Sequence, residues 1–134
     1  MEIKSTQVTI NASQKEVFDF LKDAQNIYHL LPQDKVTNWE ADEKSCSFKV
    51  QQAATISLIQ DELNEPATIK MVSGAKTPFP FSLTILINEE GEGQSSGYLH
   101  FDGKVNTFLK MMVEKPLTNL FNYMSERLKK RFEA

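Results

Sequence analysis

One cysteine, one tryptophan, two histidines, five glycines and five prolines are all that a chain of 134 residues offers of the types that most often carry disulfides, metals or unusual backbone. The lone Cys46 excludes an internal disulfide, and together with His29 and His100 it gives no ligand spacing of the kind zinc requires. So few Gly and Pro leave no room for a long flexible linker, and no internal repeat or low-complexity tract is visible. An excess of positive charge is also missing. With 15 Lys and Arg against 18 Asp and Glu the net charge is -3, so there is no general attraction to phosphate backbones and no nucleic-acid partner is expected. No apolar run approaches the roughly 20 residues that span a bilayer, which argues against integral membrane association. The opening Met1-Glu2-Ile3-Lys4-Ser5 lacks the apolar core of a secretory leader, and a cytoplasmic location is expected.

What is present is an ordinary globular composition, 40% hydrophobic and 25% charged, in a chain of single-domain length. One domain over residues 1–134 is therefore expected. Glu2 to Ile10 is rich in Ile, Val and Thr and reads as a strand, interrupted by Asn11-Ala12-Ser13. Ser13 followed by Glu16 is a capping-box pattern, and Val17, Phe18 and Leu21 repeat behind it at helical spacing, which predicts a short helix over 14–22. A second short helix, 24–31, should stop before Pro32.

From Val36 to Gly103 the period becomes two. Cys46, Phe48 and Val50 alternate with Ser45, Ser47 and Lys49, while Phe79, Phe81, Leu83, Ile85 and Ile87 alternate with Ser82, Thr84 and Asn88, and only Leu86 spoils the outer face. Ile56 with Leu58, Ile69 with Met71, and Leu99 with Phe101 continue the pattern. Turn signals at 41–44, 64–66, 73–78 and 89–93 separate these runs, so the expectation is a half-buried antiparallel sheet of seven strands. Gly91-Glu92-Gly93 lacks the framework of a phosphate loop and reads as a hairpin tip. After Gly103 the helical period returns, with Val105, Phe108, Leu109, Met112, Pro116, Leu117, Leu120, Phe121, Met124, Leu128 and Phe132 read as one apolar stripe on a helix of about 28 residues. Pro116 deprives the Met112 carbonyl of its helical partner. Arg127, Lys129, Lys130 and Arg131 complement the carbonyl end of that helix.

The stretch from Val8 through the Ser13 cap to Leu21, continuing by Asp23 and Asn26 to Leu31-Pro32, resembles the opening of START-like proteins of the polyketide cyclase and Bet v 1 (SRPBCC) superfamily. Pro116-Leu117-Thr118-Asn119-Leu120 through Met124 to Arg127-Leu128-Lys129 looks like its carboxyl end. The resemblance implies the α+β helix-grip fold: a seven-stranded curved antiparallel sheet, two short helices and one long C-terminal helix. Its motifs are a cap and core positions, so fold carries over better than activity. Two departures narrow the superfamily's range of lipid carriers, receptors, cyclases, oxygenase domains and chaperone activators. There is no His, His and carboxylate set at helical spacing as in the oxygenase domains, and Trp39 is the only Trp where the chaperone-activator branch has several.

A curled sheet gripped by one helix leaves a concavity, and binding or carriage of a small hydrophobic molecule is the function expected of it. The residues expected to line it are Met71, Phe81, Leu83, Ile85 and Phe101 from the sheet and Phe108, Met112 and Phe121 from the helix. No cofactor or metal is expected. An alternative is a cyclase- or dehydratase-like enzyme acting on a hydrophobic or aromatic substrate, for which Tyr98, His100 and Asp102 are the visible ionisable groups, although they share the polar face of their strand. Another is a homodimeric interaction module using Leu86 and the cationic helix end. His29 reads as a surface or mouth residue and Cys46 as a buried, inert thiol.

Overall fold

Ser13 starts the first helix as its sequence pattern predicts: its side chain accepts the Glu16 amide at 3.1 Å, and the Glu16 carboxylate accepts the Ser13 amide at 3.3 Å. The computed structural model describes residues 1–133. In chain order it contains β1 (Glu2–Lys4), β2 (Val8–Ile10), α1 (Gln14–Leu21), a 3-10 helix (Ala24–Leu30), β3 (Val36–Ala41), β4 (Ser45–Val50), β5 (Thr55–Asn64), β6 (Thr68–Ser73), β7 (Phe81–Gly91), β8 (Gln94–Gly103) and α2 (Thr107–Arg131). Asp23 caps the 3-10 helix by accepting the Gln25 amide.

All strands are antiparallel and join one sheet in the order β1-β8-β7-β6-β5-β4-β3, with β2 also on β8. The single strand expected over Glu2 to Ile10 is therefore two. Lys4 pairs with His100 and Val8 with Gly97, so four steps on one strand face three on the other and one extra residue must be accommodated. Ser5 occupies that irregularity, donating its amide to the Leu99 carbonyl at 2.9 Å and accepting the Leu99 amide on its hydroxyl at 2.8 Å. The same hydroxyl lies 2.7 Å from that of Ser125 on α2, a buried polar link between sheet edge and helix.

The concave face of the sheet is covered by α1, the 3-10 helix and α2, which gives the helix-grip α+β fold. Between these layers lie Phe18, Phe48, Ile56, Leu58, Met71, Phe101 and Phe121, all essentially inaccessible. Phe79, Phe81, Phe101 and Phe121 form a continuous aromatic row with successive centroids 5.0 to 6.0 Å apart. Each such ring contributes on the order of 2–3 kcal/mol through removal from water. Gly103 makes room for the row, since a Cβ there would stand 2.8 Å from the Phe101 ring.

The single apolar stripe expected along the last helix is not buried as one surface. Val113, Leu117, Leu120, Phe121, Met124 and Leu128 are buried, whereas Phe108 and Met112 are exposed. The cause is rotational. At about 100° per residue, Phe108 and Leu117 point to opposite sides of the cylinder, so a stripe drawn through both must wind around the helix. A helix lying on a sheet can bury one sector only, and the longer run after Pro116 determines which.

Candidate functional site

Six of the eight residues expected to line a cavity, Met71, Phe81, Leu83, Ile85, Phe101 and Phe121, lie in the packed interior, and the sequence periodicity places them on the correct faces. Leu83 and Ile85 line a small pocket between sheet and helices. The internal void between sheet and helices measures about 10 Å³, lined by residues such as Leu21, Leu83, Leu99 and Met124. That is no more than the space of a single water.

The other two, Phe108 and Met112, lie outside this interior. Phe108 is 73% exposed and Met112 49%, and Met111 beside them is 79% exposed. These are the first turns of α2, capped by Asn106, whose side chain accepts the Leu109 amide at 2.8 Å. Leu109 and Val113 turn inward and anchor the segment. The same exposed sector continues at three- and four-residue intervals through Lys115 and Asn119 to Tyr123.

Those last three residues form one wall of a groove of about 590 Å³, whose other walls are Pro32, Asp34 and Lys35 after the 3-10 helix and Val50 at the end of β4 with Gln51 and Gln52 in the β4–β5 turn. Pro116 and Leu120 complete its floor on α2. The opposite rim is held by backbone bonds, Gln51 to the Lys35 carbonyl at 2.8 Å and Lys35 to the Pro32 carbonyl at 2.9 Å. Gln52 takes a left-handed conformation at φ 63° in that turn. The groove thus has an apolar base and a polar lip.

Tyr98, His100 and Asp102 alternate with the buried Leu99 and Phe101 and share the sheet face turned away from α2. His100 Nε2 lies 3.4 Å from a Glu2 carboxylate oxygen on the neighbouring β1, without an aligned hydrogen bond. The group does not converge with the groove. His29 is exposed and stacks edge-on against Tyr28, which in turn meets Trp39 at 5.3 Å. Cys46 is buried, and desolvation, with a lesser contribution from the Asp42 charge, pushes its thiol up to about 12. Among the described residues no three of His, Cys, Asp and Glu cluster as a metal site would need. No helix there is long and apolar enough to cross a membrane. The groove itself escapes sequence reading because its walls come from three separated segments. The exposed sector of α2 was available from the angular drift of the apolar residues.

Comparison with known proteins bears on this geometry. The CoxG family model, named for a component of carbon monoxide dehydrogenase, matches residues 7–134. The chain belongs to the CoxG family. Among solved structures it is similar to the KanY protein, with a TM-score of 0.78 at 16% identity over 100% of this chain and 98% of that one. A START superfamily protein from Mycobacterium smegmatis superposes with a TM-score of 0.69 at 11% identity, covering 98% of this chain and 96% of its own. A norcoclaurine synthase point mutant from Thalictrum flavumn, in complex with a transition state analogue, gives 0.69 at 11% identity, covering 99% and 96%. At such identities these likenesses establish the START-like fold and nothing of chemistry. No curated protein matches the chain in sequence. The CoxG assignment therefore rests on the family model, and the fold on both.

Proposed function

We propose that this CoxG-family protein binds or carries a small hydrophobic molecule at the mouth between α2 and the sheet. The observation that carries this reading is the outward placement of Phe108, Met111 and Met112 in the first turns of α2. Three adjacent large apolar side chains in water are costly to leave uncovered, and Met adapts to varied guests. Their exposure contrasts with an interior that is otherwise filled, so an apolar guest would be covered here rather than in the core. Phe108 and Met112 remain contact residues in this reading. Phe81, Phe101 and Phe121 would be reached only if α2 shifted from the sheet.

Covering about 300 Å² of apolar ligand surface would contribute on the order of 7 kcal/mol before the costs of association, which allows micromolar affinity. Titration with Nile red, an uncharged environment-sensitive dye, tests the reading: its emission should rise and shift with wild-type protein and stay near the free-dye level with Phe108→Asp. Equal enhancement by both proteins would refute it.

A further inference from the structure

Resting on the hydrophobic-ligand reading above, we propose that Met111 and Met112 are a modification site for peroxide-class oxidants, and that their conversion to sulfoxides switches off the apolar face of α2. The chain carries its sulfur in five Met and one Cys, and burial separates these residues. Met71 and Met124 are buried in the core, and Met1 is half-buried against it. Among the described residues only Met111 and Met112 present exposed thioethers. A thiolate would ordinarily outrun them as the target of a peroxide. Cys46 does not compete, because it is buried and desolvation, with a lesser contribution from the Asp42 charge, pushes its thiol up to about 12, which leaves almost no thiolate near neutral pH.

The reaction asks only for access. A lone pair of the thioether sulfur attacks one peroxide oxygen, the S–O bond forms as the O–O bond breaks, and the proton of the transferred hydroxyl passes to the leaving hydroxide to give water. Sulfur is oxidised and the peroxide reduced by the same electron pair. Each event turns a flexible apolar side chain into a polar, hydrated one. Position gives the change its consequence. Phe108 stands three residues before Met111 and four before Met112, so the three side chains share one stretch of helix surface, and oxidation makes two of them polar. Leu109 and Val113, which anchor the same turns to the core, carry no sulfur. The guest-holding surface is thus lost while the helix keeps its seat.

The test treats wild-type protein with hydrogen peroxide and follows each Met by peptide mass spectrometry, with Nile red uptake measured in parallel. Met111 and Met112 should each gain one oxygen while Met71 and Met124 remain thioethers, and uptake should fall at least about fivefold in step with them, as two of three apolar contacts become polar. Methionine sulfoxide reductases for both epimers, with dithiothreitol, should restore uptake. Met111→Leu/Met112→Leu, judged against its own untreated level, should keep its uptake through the same treatment. Unchanged uptake by wild-type protein carrying both sulfoxides overturns the switch and leaves the hydrophobic-ligand reading standing. Three results overturn the assignment to these two residues: an equal proportional loss in the double variant, removal of both sulfoxides by the reductases without recovery of uptake, or oxidation of Met71 and Met124 as fast as Met111 and Met112. Loss of the helical circular dichroism signal together with uptake places the effect in the fold and overturns the proposal as well. No dye uptake by untreated wild-type protein overturns both the switch and the reading on which it rests.

Discussion

The two parts of α2 are made of similar residues and meet opposite fates. After Pro116 the helix buries Leu117, Leu120, Phe121, Met124 and Leu128 against the sheet, and Ser125 ties it to Ser5. Before Pro116 it anchors through Val113 and Leu109 and leaves Phe108, Met111 and Met112 in water. Apolar composition alone does not distinguish them. Angular position does, because a straight helix offers the sheet one sector and residues about 180° away cannot share it. The packed part holds the fold, and the unpacked part is the free apolar surface from which the functional reading starts.

Substitutions along α2 put that contrast to the test. The largest effect should come from Phe121→Ala, which removes a fully buried ring from the aromatic row and should cost about 3–5 kcal/mol in urea denaturation. A cost below about 1 kcal/mol would mean that the two parts are equivalent. Next in size, Pro116→Ala restores an amide to the Met112 carbonyl and should stabilise the helix by about 1–3 kcal/mol, with slower hydrogen exchange for the amides of residues 111–115. Unchanged exchange there would show that Pro116 does not separate the segments. Ser125→Ala removes the buried hydroxyl pair and should cost about 1 kcal/mol, since Ser5 keeps its bond from the Leu99 amide. Smallest of all, Phe108→Ala should change stability by no more than about 0.5 kcal/mol, for a side chain that is already 73% exposed. A loss approaching that of Phe121→Ala would place Phe108 in the structural core.

Much of the fold was legible because periodicity reports faces directly. The capping box at Ser13 and Glu16, the turns at 41–44 and 89–93, and the inward set Phe81, Leu83, Ile85 follow from local rules that the tertiary structure leaves intact. The split of the first strand was not legible, because it depends on one extra residue opposite β8 and on the long-range bonds of Ser5. The candidate site was legible only in part. Phe108 and Met112 stand out as large apolar residues, yet their outward direction emerges only from the angular drift along the helix. The groove depends on the meeting of Pro32–Lys35, the β4–β5 turn and α2, segments far apart in sequence. Near-complete filling of the interior is likewise a matter of side-chain volumes that no pattern of alternation reveals.

In the proposed function a guest is held on the apolar face before Pro116 rather than in a chamber inside the protein. Native mass spectrometry of freshly purified wild-type protein and Phe108→Asp tests it most directly. A retained small hydrophobic species on the wild-type chain, absent from an equally folded variant, is the predicted result. The same retained mass on both proteins, or the bare polypeptide mass for both, would contradict it.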